Sequence, residues 1–388
     1  MNTVASKVVD IFKENFSSDP HLYSSPGRIN FIGEHIDYND GFVMPAAIDK
    51  GVYYAIALNN TDEMHFYAID FNENLSIKIS DVKKMSGWKN YVLSVVNEFL
   101  IKGLQVKGFD CAFGGNIANG AGISSSAAVE GGLAFGINEL FNFGLDRKEL
   151  ALLCQRAEHN FPGVMCGIMD QYANMFGKKD HVILLDTRSV EHQYFPLKLE
   201  GYEIVLLNTK VHHSLASSEY NVRRKQCEEG LAILKRETGI TSFRDIKSPE
   251  ELLPFKDTMD AKVYDRCKFV VEEIIRTQEA AKLLQQNNLI EFGKKMFEAH
   301  EGLSKLYEVS CKELDFLVEK AKENKDVIGA RMMGGGFGGC TINIIKKESV
   351  EKFLSDATAA YKKRFAIDAE IIKVQIENGT HEINNFLN

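Results

Sequence analysis

Apolar residues recur at helical spacing in several stretches of this 388-residue chain. Val4, Val8, Ile11, Phe12 and Phe16 form one stripe; Leu133, Ile137, Leu140 and Phe141 form another. The second stripe predicts a helix that starts near Ser124 to Ser126, and further helices are predicted over 88–100 and 147–159. Apolar runs without that spacing predict strands over 52–57, 64–69, 181–185 and 202–208. Residues 186–196 are more polar, and a domain boundary is expected near residue 195. From about 217 to 325 the pattern is mostly helical and rich in Glu and Lys. A glycine run over 334–339 follows, then two β-like runs over 340–345 and 370–376. Neither a low-complexity tract nor an internal repeat stands out. The pattern predicts an α+β protein of two parts, 1–195 and 196–388, rather than a regularly alternating parallel-sheet fold.

Length and composition agree with two domains of an ordinary globular protein: 45% of residues are hydrophobic and 26% charged. The balance of 46 basic against 54 acidic residues gives −8, which argues against nucleic acid as the main partner. A local basic site for phosphate is compatible with it. Seven cysteines are scattered without any C-x-x-C pair, so free buried thiols in a reducing compartment are expected. Asp10, Lys13 and Glu14 interrupt the first apolar stripe, which excludes a signal-peptide reading, and no apolar run reaches transmembrane length. A cytoplasmic protein without a membrane partner is expected. Nothing sets the oligomeric state; a monomer is compatible.

Residues 114–130 are the most informative stretch. Glycines and small residues come first, then Ser124, Ser125 and Ser126, then the helical stripe. Unpaired N–H groups and the helix dipole favour an anion at such a point, and glycines allow close backbone approach. A nucleotide phosphate is one reading; a serine-capped helix after a tight turn is the other. No Gly-Lys-Ser or Gly-Lys-Thr occurs, so the loop is not a Walker A loop, and it is not a convincing Rossmann fingerprint. Serine hydroxyls could hold phosphates, with one reaching Mg²⁺. Magnesium needs further oxygen ligands, and Glu158 is a candidate carboxylate, with a solvated surface residue as the alternative.

Two more constellations stand apart. Between Ser25 and Gly41, Arg28, Glu34, His35, Asp37 and Asp40 crowd a stretch framed by Ile29, Phe31, Ile32 and Phe42. Carboxylates suit sugar hydroxyls and arginine suits phosphate. Glu34-His35 lacks the second histidine of a zinc helix motif. Later, five of the six positions from Gly334 to Gly339 are glycine, preceded by Arg331-Met-Met333. That loses much chain entropy on folding and suggests a close approach to phosphate or to another loop rather than a flexible linker.

Taken together, in this order and at these separations, the three segments resemble the GHMP kinase family, most closely its galactokinase branch. Pro26 to Phe42 resembles the galactokinase signature, Gly120 to Ala127 the phosphate loop, and Met332 to Gly339 the third family motif. Gly167-Ile-Met-Asp-Gln171 resembles the catalytic-aspartate segment, Ser218 to Arg224 a segment supplying a sugar-contacting tyrosine, and His300 to Leu317 the late helical region. Two departures are visible. Ile36 stands where threonine is usual, and Ala118-Asn119 where Pro-Leu is commoner.

The resemblance implies an N-terminal domain like the second domain of ribosomal protein S5 and a ferredoxin-like C-terminal domain, with ATP, Mg²⁺ and galactose meeting between them. The implied reaction yields α-D-galactose 1-phosphate and ADP, the entry step of galactose catabolism. Asp170 would accept the proton of the C1 hydroxyl, and Arg28 would lie near Asp170 and the transferring phosphate. Glu34, His35, Ile36, Asp37, Gly167 and Tyr220 would form the sugar site. Gly120, Ala121, Gly122, Ile123, Ser124, Ser125 and Ser126 would hold the ATP phosphates, with Ser126 and Glu158 on Mg²⁺. Trp88 and Tyr91 would line the adenine pocket, with ordinary core packing the alternative. Two other functions stay open: a family kinase for N-acetylgalactosamine or arabinose, which Ile36 allows, and a non-catalytic galactose sensor. The undamaged serine loop, Arg28 and Asp170 disfavour the sensor.

Overall fold

The computed structural model describes residues 3–117, 120–211 and 216–384. Helix α1 (Thr3–Asn15) is followed by strands β1 (His21–Asn30), β2 (Phe42–Val43), β3 (Pro45–Leu58), β4 (Glu63–Ala68) and β5 (Glu73–Lys78). Next come α2 (Trp88–Ile101), β6 (Phe109–Gly115), α3 (Ser125–Leu140), α4 (Arg147–Asn160) and α5 (Met169–Phe176). Strands β7 (His181–Asp186), β8 (Glu191–Pro196) and β9 (Tyr202–Asn208) lead into α6 (Ala216–Thr238), α7 (Ala261–Gln285), α8 (Leu289–Lys305) and α9 (Lys312–Lys322). The chain ends with β10 (Val327–Met332), β11 (Cys340–Lys346), α10 (Val350–Phe365), β12 (Glu370–Lys373) and β13 (His381–Glu382).

The strands form three sheets. The first has the order β13-β1-β3-β6-β4-β5, the second β10-β11-β9-β12, and β2-β7-β8 form a small third. Strand β3 is covered on both faces, which is why 52–57 reads as an unbroken apolar run. Tyr54 and Ile56 face the core under α3, while Tyr53, Ala55 and Ala57 face α1 and its Val8 and Phe12. A third cluster joins the sheets: Ile29 of β1, Phe31 just after it, Leu206 of β9, Ile342 of β11 and Phe292 of α8 pack with Ala121 and Ile123 of the serine loop. The loop is thus anchored in the seam between the two larger sheets.

Strand β1 runs through Pro26-Gly27, with a register shift between Pro26 and Arg28 that absorbs the irregularity. A Cβ on Gly27 would lie 2.6 Å from the carbonyl oxygen of Ile123, so only glycine lets β1 pass this close to the serine loop. The polar stretch before residue 196 contains β8, an edge strand whose residues are exposed or half-buried. The run expected over 370–376 splits: β12 ends at Lys373, and Ile376 bridges to Ile48 of β3. The tail then returns to the first sheet, where β13 pairs with β1. All seven cysteines are free, five of them buried. Among the described residues no helix is long and apolar enough to cross a membrane.

Candidate active site

The bulge in β1 delivers Arg28, buried to 4% exposure, to the first turn of α5. Its Nε and Nη2 donate to Asp170 Oδ1 and Oδ2 at 2.8 and 2.9 Å, and its Nη1 donates to the Gly122 carbonyl at 2.6 Å. One guanidinium therefore joins the aspartate segment to the serine loop. Ser124 also donates to Asp170 Oδ2. It lies in the left-handed region (φ 60°, ψ 56°), and its side chain does not cap α3. The serine-capped reading is thereby corrected: Ser124 precedes the helix but spends its hydroxyl on Asp170. Such a backbone costs about 1–3 kcal/mol in a non-glycine residue and persists only where neighbours hold it.

A cavity of about 230 Å³ opens beside Asp170, with Glu34, His35, Asp37, Gly167 and Tyr220 in its wall. Asp37 packs on bare backbone: a Cβ on Gly167 would lie 2.1 Å from its carboxyl carbon. Burial, then Asp170 and Glu34, push the Asp37 carboxyl up to about 7. Glu34 accepts from the Gly334 N–H at 2.7 Å and from Asn30 Nδ2 at 2.8 Å. The glycine run is the turn between β10 and β11, pinned by Glu34 and by the Phe337 N–H on the Val309 carbonyl at 2.7 Å. A flexible linker is excluded. Ile36 is the one expected sugar residue not brought to the cavity. It is fully buried, with its side chain against Gly41, because the turn from Ile36 to Gly41 points it into the core.

A second cavity of about 350 Å³ runs along Gly120 to Ser126 and the glycine turn, sharing Arg28 and Asp170 with the first. A third, of about 520 Å³ and largely apolar, lies between Trp88, Tyr91, Phe71 and Phe113. Ser126 lines all three. Trp88 caps the third cavity at the start of α2, its indole N–H on Glu73 at 3.0 Å. Ala118-Asn119 lie outside the described residues.

Three family models match the chain: the galactokinase galactose-binding signature over residues 10–58, the GHMP kinase N-terminal domain over 90–178 and the GHMP kinase C-terminal region over 280–363. A galactokinase of Thermotoga petrophila is 40% identical over 359 residues, covering 92% of this chain and 99% of that protein. The chain belongs to the galactokinase family. A galactokinase of Clostridium acetobutylicum is 39% identical, with 99% of each chain covered. The crystal structure of Lactococcus lactis galactokinase complexed with galactose superimposes with a TM-score of 0.95 at 33% identity, covering 98% of this chain and 100% of that one. A Methanococcus jannaschii mevalonate kinase shares the fold, with a TM-score of 0.65 at 19% identity. The two-part α+β GHMP kinase architecture expected from the sequence is borne out.

Two buried charged residues beside these side chains escaped the sequence reading. Arg331, fully buried on β10, sits 2.9 Å from Glu34 Oε1 as an ion pair and donates to the Asn30 carbonyl at 3.2 Å. Its place beside the glycine run was visible; its partner, about 300 residues away in sequence, was not. Glu130, one turn after Ser126 on α3, is buried with both carboxylate oxygens lacking a hydrogen-bond donor. It lies against Glu158, whose carboxyl burial and then Asp170 push up to about 7; Glu130 itself is also pushed up, by burial and then by Glu158. Ser126 bonds Glu158, and Gln171 Nε2 donates to it at 3.2 Å. A donor-poor Glu130 beside the Glu158 carboxyl suits a cation. Among the described residues no three His, Cys, Asp or Glu side chains form a metal site by themselves.

Proposed function

We propose that this protein phosphorylates D-galactose at C1 with ATP and Mg²⁺, giving α-D-galactose 1-phosphate and ADP. One observation carries the reading: the Arg28–Asp170 pair stands where the sugar-sized cavity opens into the cavity of the serine loop. Sugar sits in the first cavity, phosphates in the second and adenine in the third, against Trp88 and Tyr91. The division of the chain near residue 195 fits this, with residues 377–384 returning to the first part.

Asp170 accepts the proton of the C1 hydroxyl as its oxygen bonds the γ-phosphorus and the bond to ADP breaks. A carboxylate has about four lone-pair sites. Arg28 and Ser124 occupy three, which leaves one on Oδ1 for the sugar. The Arg28 guanidinium faces both the base and the transferring group, where fixed charge lowers the barrier. Ser126 and Glu158 would hold Mg²⁺, which would supply charge neutralisation at the phosphates. Glu34, His35, Asp37, Gly167 and Tyr220 enclose the sugar.

Galactose is expected to be turned over and glucose poorly. Buried polar groups set for one hydroxyl are left unpaired by an analogue that misplaces it. An ATP-consumption assay with a sugar panel, and phosphorus NMR of the product, test this. Equal use of glucose, or product phosphorylated at C6, would count against the reading. With Ile36 directed into the core, no sugar contact is expected from its side chain.

Ser126→Ala is expected to raise the Mg²⁺ concentration needed for half-maximal rate. Its stability cost is about 1 kcal/mol or less, since the serine caps no helix end. Magnesium titration at fixed ATP, beside thermal unfolding, checks it. Unchanged magnesium dependence removes Ser126 from the metal site.

A further inference from the structure

Behind the sugar cavity runs a series of hydrogen bonds whose direction is set at one end. His35 Nε2 lies 3.1 Å from the Gly335 carbonyl oxygen. A carbonyl only accepts, so Nε2 bears the proton. Burial holds the imidazole neutral, pushing it down to about 3, so Nδ1 is bare. Nδ1 accepts from the Tyr38 hydroxyl at 2.7 Å. With that proton spent, the Tyr38 oxygen accepts from the Tyr307 hydroxyl at 2.9 Å. The Tyr307 oxygen in turn accepts from the Cys227 thiol at 3.1 Å. Each member has one proton, so a single carbonyl orders them all.

The members come from separate parts of the fold. His35 and Tyr38 follow β1, Tyr307 lies between α8 and α9, and Cys227 is on α6. Tyr307 and Cys227 are completely buried, and His35 is 3% exposed in the cavity wall. His35 has φ 62°, a left-handed backbone that its ring contacts must hold in place. Tyr220 packs beside both His35 and Tyr38, at 5.1 and 5.4 Å between ring centres.

We propose that Tyr38, Tyr307 and Cys227 are positioning residues of the sugar site: the Gly335 carbonyl fixes the His35 tautomer, and the series behind Nδ1 holds the ring in the orientation in which Nε2 meets the sugar as a hydrogen-bond donor. A sugar oxygen that shares or replaces the Gly335 bond must therefore accept. The series favours a sugar whose oxygen presents a lone pair there, and it holds the ring against the glycine turn before sugar arrives. The proposal rests on the reading of this cavity as the galactose site.

Nitrogen-15 NMR of histidine-labelled protein without sugar reads the tautomer directly, the His35 signals being assigned by their loss in His35→Asn. The wild type is expected to show a protonated Nε2 and a bare Nδ1. Tyr38→Phe, which leaves Nδ1 without its donor, is expected to shift the His35 nitrogen signals while Nε2 stays protonated, and to raise the galactose KM about 10-fold, leaving the ATP KM within about twofold. Tyr307→Phe, one step further away, should act in the same direction but less. Cys227→Ala should resemble it, and Cys227→Ser, which keeps a donor, should restore the wild-type values. A protonated Nδ1 in the wild type overturns the proposal. So does a Tyr38→Phe or, if that variant does not fold, a Tyr307→Phe protein with the wild-type His35 nitrogen shifts and galactose KM. Absence of galactose turnover in the wild type is a separate result, which overturns the functional reading and leaves the tautomer measurement standing.

Discussion

Asp170→Asn is expected to keep galactose binding and to lower turnover by about 10²- to 10⁴-fold, the usual worth of general-base assistance. The amide is nearly isosteric but cannot take the proton. It also cannot accept from both Nε and Nη2 of Arg28, so one guanidinium N–H loses its partner. Arg28→Ala should be comparably severe. It removes charge from the phosphoryl path, leaves Asp170 without its bidentate partner, and releases the bond to Gly122 that holds the serine loop. Because both residues serve one step, the double variant should lose less than the sum of the single losses in free energy. Calorimetry for galactose and a coupled assay for turnover, run on all three variants, check this. Near-normal turnover in Asp170→Asn overturns the base assignment. Full additivity shows that the two residues act independently.

Gly167→Ala is expected to raise the galactose KM about 10- to 100-fold, the range for loss of a hydrogen bond to a charged group. The added methyl would stand 2.1 Å from both Cγ and Oδ2 of Asp37. The carboxylate must swing away and give up the Met169 N–H, which lies 3.4 Å from Oδ2. The ATP KM should move little, because Gly167 lines the sugar cavity and not that of the serine loop. Removing Asp37 in the same background, as Asp37→Ala with Gly167→Ala, should recover thermal stability but not the galactose KM. An unchanged KM in the single variant removes Gly167 and Asp37 from the sugar site.

Much of the site was legible because its chemistry is concentrated in short segments. Arg28, Glu34, His35 and Asp37 fall within ten residues, and Gly120 to Ser126 within seven. Trp88 came only from the family resemblance, since a tryptophan opening a helix also suits a core, and here it packs in the core cluster while lining the apolar cavity. For Ile36 the sequence does not say which way the side chain turns. The Ile36–Gly41 turn decides that, and it directs Ile36 inward. Glu130 carries a weak signal, a carboxylate one helical turn beyond Ser126. Its burial beside Glu158 depends on how α3 and α4 pack.

The sequence by itself determined what is local: helices with a steady apolar stripe, strands buried on both faces, and loops whose glycines demand close approach. These follow from spacing and from backbone sterics, which act over a few residues. Only the tertiary structure decided which distant groups meet. It bent β1 at Pro26 so that Arg28 reaches Asp170, and it paired Arg331 with Glu34. It also led Tyr38, Tyr307 and Cys227 into one series behind His35. Such contacts depend on the packing of two sheets across a shared core, and a buried charge or hydroxyl must find its partner wherever that packing puts one.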